Sequence, residues 1–112
     1  MDSISWQDFQ KIELRVGTIM KVEDFPQARN PAYILHVDFG NELGIKKSSA
    51  QITQNYTKEQ LVGKQVMAVV NFPPKQIGPI MSECLVTGFY KKDGSVILAV
   101  PERPLENGSQ LG

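Results

Sequence analysis

Residues 12 to 23 alternate in a way that allows little besides a strand. Ile12, Leu14, Val16, Thr18, Met20 and Val22 share one face, while Glu13, Arg15, Gly17, Lys21 and Glu23 share the other. A period of two sustained over this length reads as a long, half-buried β-strand. Gly17 near its middle predicts a bend or bulge, which a tightly coiled barrel requires. A chain organised around such a strand has to wrap a sheet about it, and the remaining pattern supplies that sheet.

Before the strand, Ser5-Trp6-Gln7-Asp8 has the form of a capping box and predicts a short helix to about Lys11. Trp6, Phe9 and Ile12 fall at intervals of three. Such a stripe either closes one end of the core or packs on a second subunit, because a helix this short needs tertiary contacts. After it, Tyr33 to Phe39 and Ile45 to Ser49 read as strands, and Thr57-Lys58-Glu59-Gln60 with Gly63 reads as a capped helix. Val66 to Asn71, Cys84 to Tyr90 and Val96 to Val100 complete the strands, the last two joined by the turn Lys92-Asp93-Gly94. The order predicts a mainly β chain: an OB-fold, a five-stranded Greek-key barrel, with a helix between strands 3 and 4 and short additions at both ends. An SH3-like barrel is the competing plan, and the position of the helix favours the OB-fold. At 112 residues the chain suits one domain spanning residues 1–112.

Asn71 to Glu83 joins two of these strands through three prolines and one glycine. Each proline fixes φ and removes a donor, so the connection is stiff and holds its side chains in place. It presents Asn71, Phe72, Lys75, Ile77, Met81, Ser82 and Glu83, a mixture suited to recognition rather than bond-making. Phe72 and Met81 either offer apolar pockets or plug the barrel end.

Twelve basic residues balance twelve acidic ones, yet residues 43 to 92 hold seven basic side chains against two acidic. Neutrality overall argues against an indiscriminate nucleic-acid coat, while the basic middle hints at a polyanionic partner. Single copies of histidine and cysteine, His36 and Cys84, give neither an internal disulfide nor a zinc site of ordinary ligand count. His36 reads as a hydrogen-bonded structural residue, and Glu23-Asp24 as a solvated strand end. Ser48-Ser49 is either a phosphate contact or a polar edge. No phosphate loop or nucleophile elbow is present, so the expectation is a protein that is not an enzyme and uses no cofactor. The longest apolar runs are about five residues, too short to cross a bilayer, which predicts a cytoplasmic protein without membrane insertion.

Leu14-Arg15-Val16-Gly17-Thr18-Ile19, Val37-Asp38-Phe39-Gly40 and Asn71-Phe72-Pro73-Pro74-Lys75 with Gly78 and Ser82 resemble the tRNA-binding OB domain of methionyl-tRNA synthetases, free-standing tRNA-binding proteins and synthetase cofactors. Within that family Phe25-Pro26, Ala28-Arg29, Pro31-Ala32, the run Ser48 to Thr53, and Gln76-Ile77-Gly78-Pro79 are similar to the CsaA-type export-related chaperones. The resemblance implies a homodimer joined through the N-terminal helix, with Trp6 and Phe9, and through the tail, with Pro101, Leu105 and Leu111. It further implies binding of unfolded or precursor polypeptides and cooperation with export machinery, without ATP hydrolysis. The alternative is a stand-alone tRNA binder in which Lys46, Lys47 and Lys75 meet phosphates and a base stacks on Phe72 or Tyr33.

Overall fold

A computed structural model describes all 112 residues. In chain order its elements are α1 (Trp6–Gln10), β1 (Leu14–Asp24), β2 (Tyr33–Asp38), β3 (Ile45–Ala50), α2 (Lys58–Leu61), β4 (Gln65–Val69), β5 (Lys75–Ile77), β6 (Ile80–Ser82), β7 (Leu85–Val86), β8 (Gly88–Tyr90) and β9 (Val96–Leu98). Five of the strands form one antiparallel sheet in the order β3-β2-β1-β4-β7, coiled into a nearly closed barrel of OB-like fold with α2 between β3 and β4. Both helices start as their sequences predict. Ser5 with Asp8 and Thr57 with Gln60 form reciprocal capping boxes.

The core gathers Ile19, Leu35, Val37, Phe39, Ile52, Leu61, Val66, Ala68 and Leu98, each contributed by the inward face of a strand or by α2 and its approach. β1 reaches it differently from the simple alternation. The strand begins at Leu14 rather than Ile12, and the bulge falls at Met20: Ile19 pairs with Val37, Lys21 with His36, and Met20 is the unpaired extra residue. The phase flips there, so Ile19 is fully buried while Met20 is half exposed. Ile19 turns its amide to the Lys64 carbonyl and its carbonyl to the Gly63 amide, at 2.9 and 2.8 Å. The end of α2 is thereby docked against β1. Gly17 has another role: a Cβ there would stand 2.6 Å from Val37 Cγ1 and 2.8 Å from the Phe39 ring. Its hydrogen lets β2 cross close above β1.

The sheet closes incompletely. β3 and β7 are its two edges, and no ladder joins them. Three bonds across the seam substitute: the Ser49 amide donates to Ser82 Oγ at 3.1 Å, the Lys47 amide donates to Glu83 Oε1 at 3.0 Å, and the Glu83 amide donates to the Lys47 carbonyl at 2.8 Å. Ser48 is fully buried, so it is not an open phosphate contact, and the Ser49 amide is committed to this seam.

Two segments depart from the expected elements. Residues 71 to 83 contain a small hairpin, β5–β6, turning at Gly78-Pro79. The run Cys84 to Tyr90 breaks in two at Thr87, which gives its amide and its hydroxyl to the Met67 carbonyl. β7 therefore extends the barrel, whereas β8 pairs with β9. At the other edge of β1, residues 108 to 111 lie alongside its first turn, with Gly108, Ser109 and Leu111 bonded to Val16 and Leu14. Gly17→Ala is expected to destabilise the barrel by about 1–3 kcal/mol, since one methyl must displace Val37 and Phe39; urea unfolding measures it, and an unchanged midpoint would contradict the close crossing.

Candidate functional site

The β5–β6 hairpin folds across the outside of the sheet. Ile77 and Ile80 pack on a second apolar cluster of Phe25, Ala32 and Ile34, which fastens the hairpin tip over β2. Ser82 and Glu83 fasten its base to β3 through the seam bonds. Where the legs diverge, Phe72-Pro73-Pro74-Lys75 on one side and Ser82 to Leu85 on the other enclose a cleft of about 710 Å³, with Ser49 and Cys84 among its walls. Phe72 is 55% exposed and Met81 is 42% exposed, so neither plugs the barrel. A second cleft of about 430 Å³ shares Ser49 and Leu85 with the first and continues toward Ile52, Val86 and Tyr90. Together they follow the open seam, an apolar channel with a few polar groups at its margin.

Not every loop residue faces this channel. Phe72, Lys75, Ile77 and Ser82 line the first cleft; Met81 sits on β6 opposite Gln76 and does not. Asn71 is spent on the chain itself: its Oδ1 accepts from the Glu13 amide at 3.0 Å and its Nδ2 donates to the Lys11 carbonyl at 2.7 Å. It latches the end of α1 to β4. Leu85, which the loop reading left out, joins both clefts and is half exposed. Tyr33 also differs from the stacking role considered for it, because its hydroxyl donates to the Tyr56 carbonyl and its ring packs on the core.

Lys46, Lys47 and Lys75 enter no ion pair. The paired cations are Lys11, Arg15, Lys21, Lys58 and Arg103, so most of the basic middle is left uncompensated. Glu23 and Asp24 are not simply solvated: Glu23 receives Lys21 at 2.8 Å and Asp24 receives Lys58 at 2.9 Å. The hydrogen bond from Lys21 holds the Glu23 carboxyl below its ordinary range, and the Asp24 bond raises the Lys58 ammonium. His36 departs from its expected role, for Nε2 is buried and makes no hydrogen bond, standing 3.5 Å from Glu23 Oε1. No group of three or more His, Cys, Asp or Glu side chains is arranged to hold a metal ion.

The residues expected at a subunit interface lie outside the seam channel. None of α1 is buried, and Trp6 is 62% exposed, so the helix does not close the core of its own chain. Its Trp6 and Phe9 rings pack together at 5.4 Å. Register places Leu14, Val16, Met67, Val69 and Leu85 on the outward face of β1, β4 and β7. Pro101, Leu105 and Leu111 meet Leu14, Val16 and Met67 around a cavity of about 270 Å³.

Residues 14–110 match the sequence profile of the tRNA binding domain. The chain belongs to the tRNA-binding domain family. Among solved structures, this family member is similar to the chaperone CsaA of Bacillus anthracis, with a TM-score of 0.93 and 46% identity over 99% of this chain and 100% of that one. The CsaA chaperone protein of Picrophilus torridus gives 0.92 and 49%, over 98% and 100%. Among curated relatives, the methionine–tRNA ligase of Porphyromonas gingivalis is 33% identical over 98% of this chain but only 16% of its own length. The chain thus spans about a sixth of the curated relatives it matches. No helix of this family member is long and apolar enough to cross a membrane.

Cys84, in the wall of the cleft, is 6% exposed; burial, and secondarily the Glu83 charge, pushes its thiol up to about 12. The folded chain keeps this proton where an unfolded chain releases it above about pH 8.5–9, so the thiol's contribution to stability falls as pH rises from there toward 12. Iodoacetamide at about pH 8 is expected to leave native Cys84 unmodified and to label it fully in denaturant; rapid labelling of the native chain would contradict the buried placement.

Proposed function

We propose that this chain is a CsaA-like, non-catalytic chaperone that holds unfolded or precursor polypeptides in the seam channel and assists their export. The observation that carries the reading is the channel itself. It is apolar, bordered by a stiff hairpin, and edged by Lys75, Ser82 and Glu83, groups that suit the carboxylates, amides and cations of an extended peptide. Phe72 and Leu85 supply exposed apolar contact along the channel. The solved CsaA structures, similar over nearly the full chain, support the same reading.

The chain acts as a homodimer in the cytoplasm, on this reading. Trp6, Leu105 and Leu111 are apolar side chains that one subunit alone leaves open to water. A dimer brings two channels to one client and raises avidity without new contacts. Replacing Leu105 and Leu111 together by Asp is expected to convert a dimer to a monomer in sedimentation equilibrium, and to weaken client binding by about tenfold or more.

A second reading, tRNA binding, is favoured by the family profile and by the unpaired Lys46, Lys47 and Lys75. The two separate by salt. Labelled unfolded precursor and labelled tRNA, each titrated at low and near-physiological salt, are expected to show peptide binding that survives and tRNA binding that falls steeply. Tight tRNA binding at physiological salt with no peptide signal would overturn the chaperone reading. Phe72→Ala is expected to weaken the peptide, whereas Lys46→Gln with Lys47→Gln is expected to weaken the tRNA and spare the peptide.

A further inference from the structure

The seam channel is divided rather than continuous. Its first cleft touches β3 only at Ser49 and its second runs from Ser49 to Ile52, so the two advance along that wall by roughly two residues, or about 7 Å of extended chain. Ser49 and Leu85 are all that the clefts share. Leu85 is 50% exposed, so its side chain stands in the channel rather than beneath it. Ser49 on the facing wall is held in place, because its amide donates to Ser82 Oγ at 3.1 Å.

The two clefts differ in chemistry. Lys75 and Glu83 edge the first, of about 710 Å³, whereas no charged side chain lines the second, of about 430 Å³. Ile52, Val86 and Val96 give that second cleft an apolar interior, and a charged residue lowered into it would lose water without gaining a partner. On the same wall, the main-chain groups of Gln51 and Ile52 enter no hydrogen bond with the rest of the backbone. Free donors and acceptors that continue an edge strand, beside an apolar cleft, suit the main chain of an extended polypeptide; a purely apolar ligand has nothing to offer them.

We propose that the channel reads spacing in its client: it takes an extended segment with two apolar side chains separated by one residue, one in each cleft, and Leu85 is the divider that sets the interval. Side chains alternate across an extended chain, so residues i and i+2 point the same way about 6.5–7 Å apart, while neighbours, and residues three apart, point to opposite sides. Only the i, i+2 pair puts both side chains on one wall at the interval the clefts provide. A client segment with the alternation of an amphipathic strand carries this spacing. One with apolar residues three and four apart, as on a helix face, does not. The inference rests on the chaperone reading and adds to it which segments of a client are held.

Three labelled peptides of one composition, each carrying two phenylalanines in a background of glycine and serine, test the interval. One places the pair adjacent, one separates it by a single residue and one by two. In anisotropy titrations wild type is expected to bind the singly separated pair about fivefold to tenfold more tightly than the other two, the effect of one misplaced apolar side chain. Leu85→Ala, which joins the clefts, is expected to bind all three within about twofold of one another, and Leu85→Met, which keeps the bulk, to retain the preference. Equal binding of the three by wild type, or a preference that survives in Leu85→Ala, overturns the proposal. A labelled unfolded precursor titrated alongside separates the failures. Precursor binding without order among the peptides removes the spacing alone, whereas binding of neither precursor nor peptide ends the chaperone reading and the spacing with it.

Discussion

The seam between β3 and β7 is the constraint on which the remaining structure depends. A five-stranded sheet that stops short of closure exposes two edges, each a template for unwanted pairing. Here Ser82 and Glu83 use side chains where a fifth strand pairing would use backbone, and they satisfy the amides of Ser49 and Lys47. Hydrogen bonds of this kind contribute about 0.5–1.5 kcal/mol each. Their larger effect is positional. They set the base of the β5–β6 hairpin, while Ile77 and Ile80 set its tip, and the channel is the space that remains between its diverging legs and the edge of the barrel.

Charge is distributed by the same economy. Cations near both termini are neutralised by close neighbours, as Arg15 is by Glu13 and Arg103 by Glu102. The lysines of the middle segment, Lys58 excepted, lack such partners. A chain of zero formal charge therefore carries a field of one sign on part of its surface, and that field reaches the edge of the apolar channel at Lys75. Polypeptide and polyanion would meet different chemistry on one small barrel.

Much of the fold was legible because it is written in local pattern. Both capping boxes, the positive φ of Gly63 and Gly94, and the strand order each follow from residues near in sequence. The errors share one cause, which is that the deciding partner lies far away. The bulge falls at Met20 because Ile19 answers to Gly63 and Lys64, and nothing near Met20 announces them. Thr87 splits a continuous apolar run by bonding Met67. Within the site, Phe72, Lys75, Ile77 and Ser82 were visible as a stiff, mixed loop. Asn71 was visible too, but its partners at Glu13 and Lys11 stand 58 and 60 residues away, and no spacing rule reveals that they consume its amide. Three-residue strands such as β5 and β6 are too short to show a period at all.

The tail that lies along β1 also bears on the order in which the barrel assembles. Val16 exchanges hydrogen bonds with Gly108 and Ser109, so the first strand of the barrel is finished by residues far along the chain. Contacts of such separation form late, after loop closure has already cost its entropy. While a ribosome is still working on the chain, the outer edge of Leu14 to Val16 stands open, and the nascent barrel is itself, for that interval, a polypeptide with an unpaired strand in need of cover.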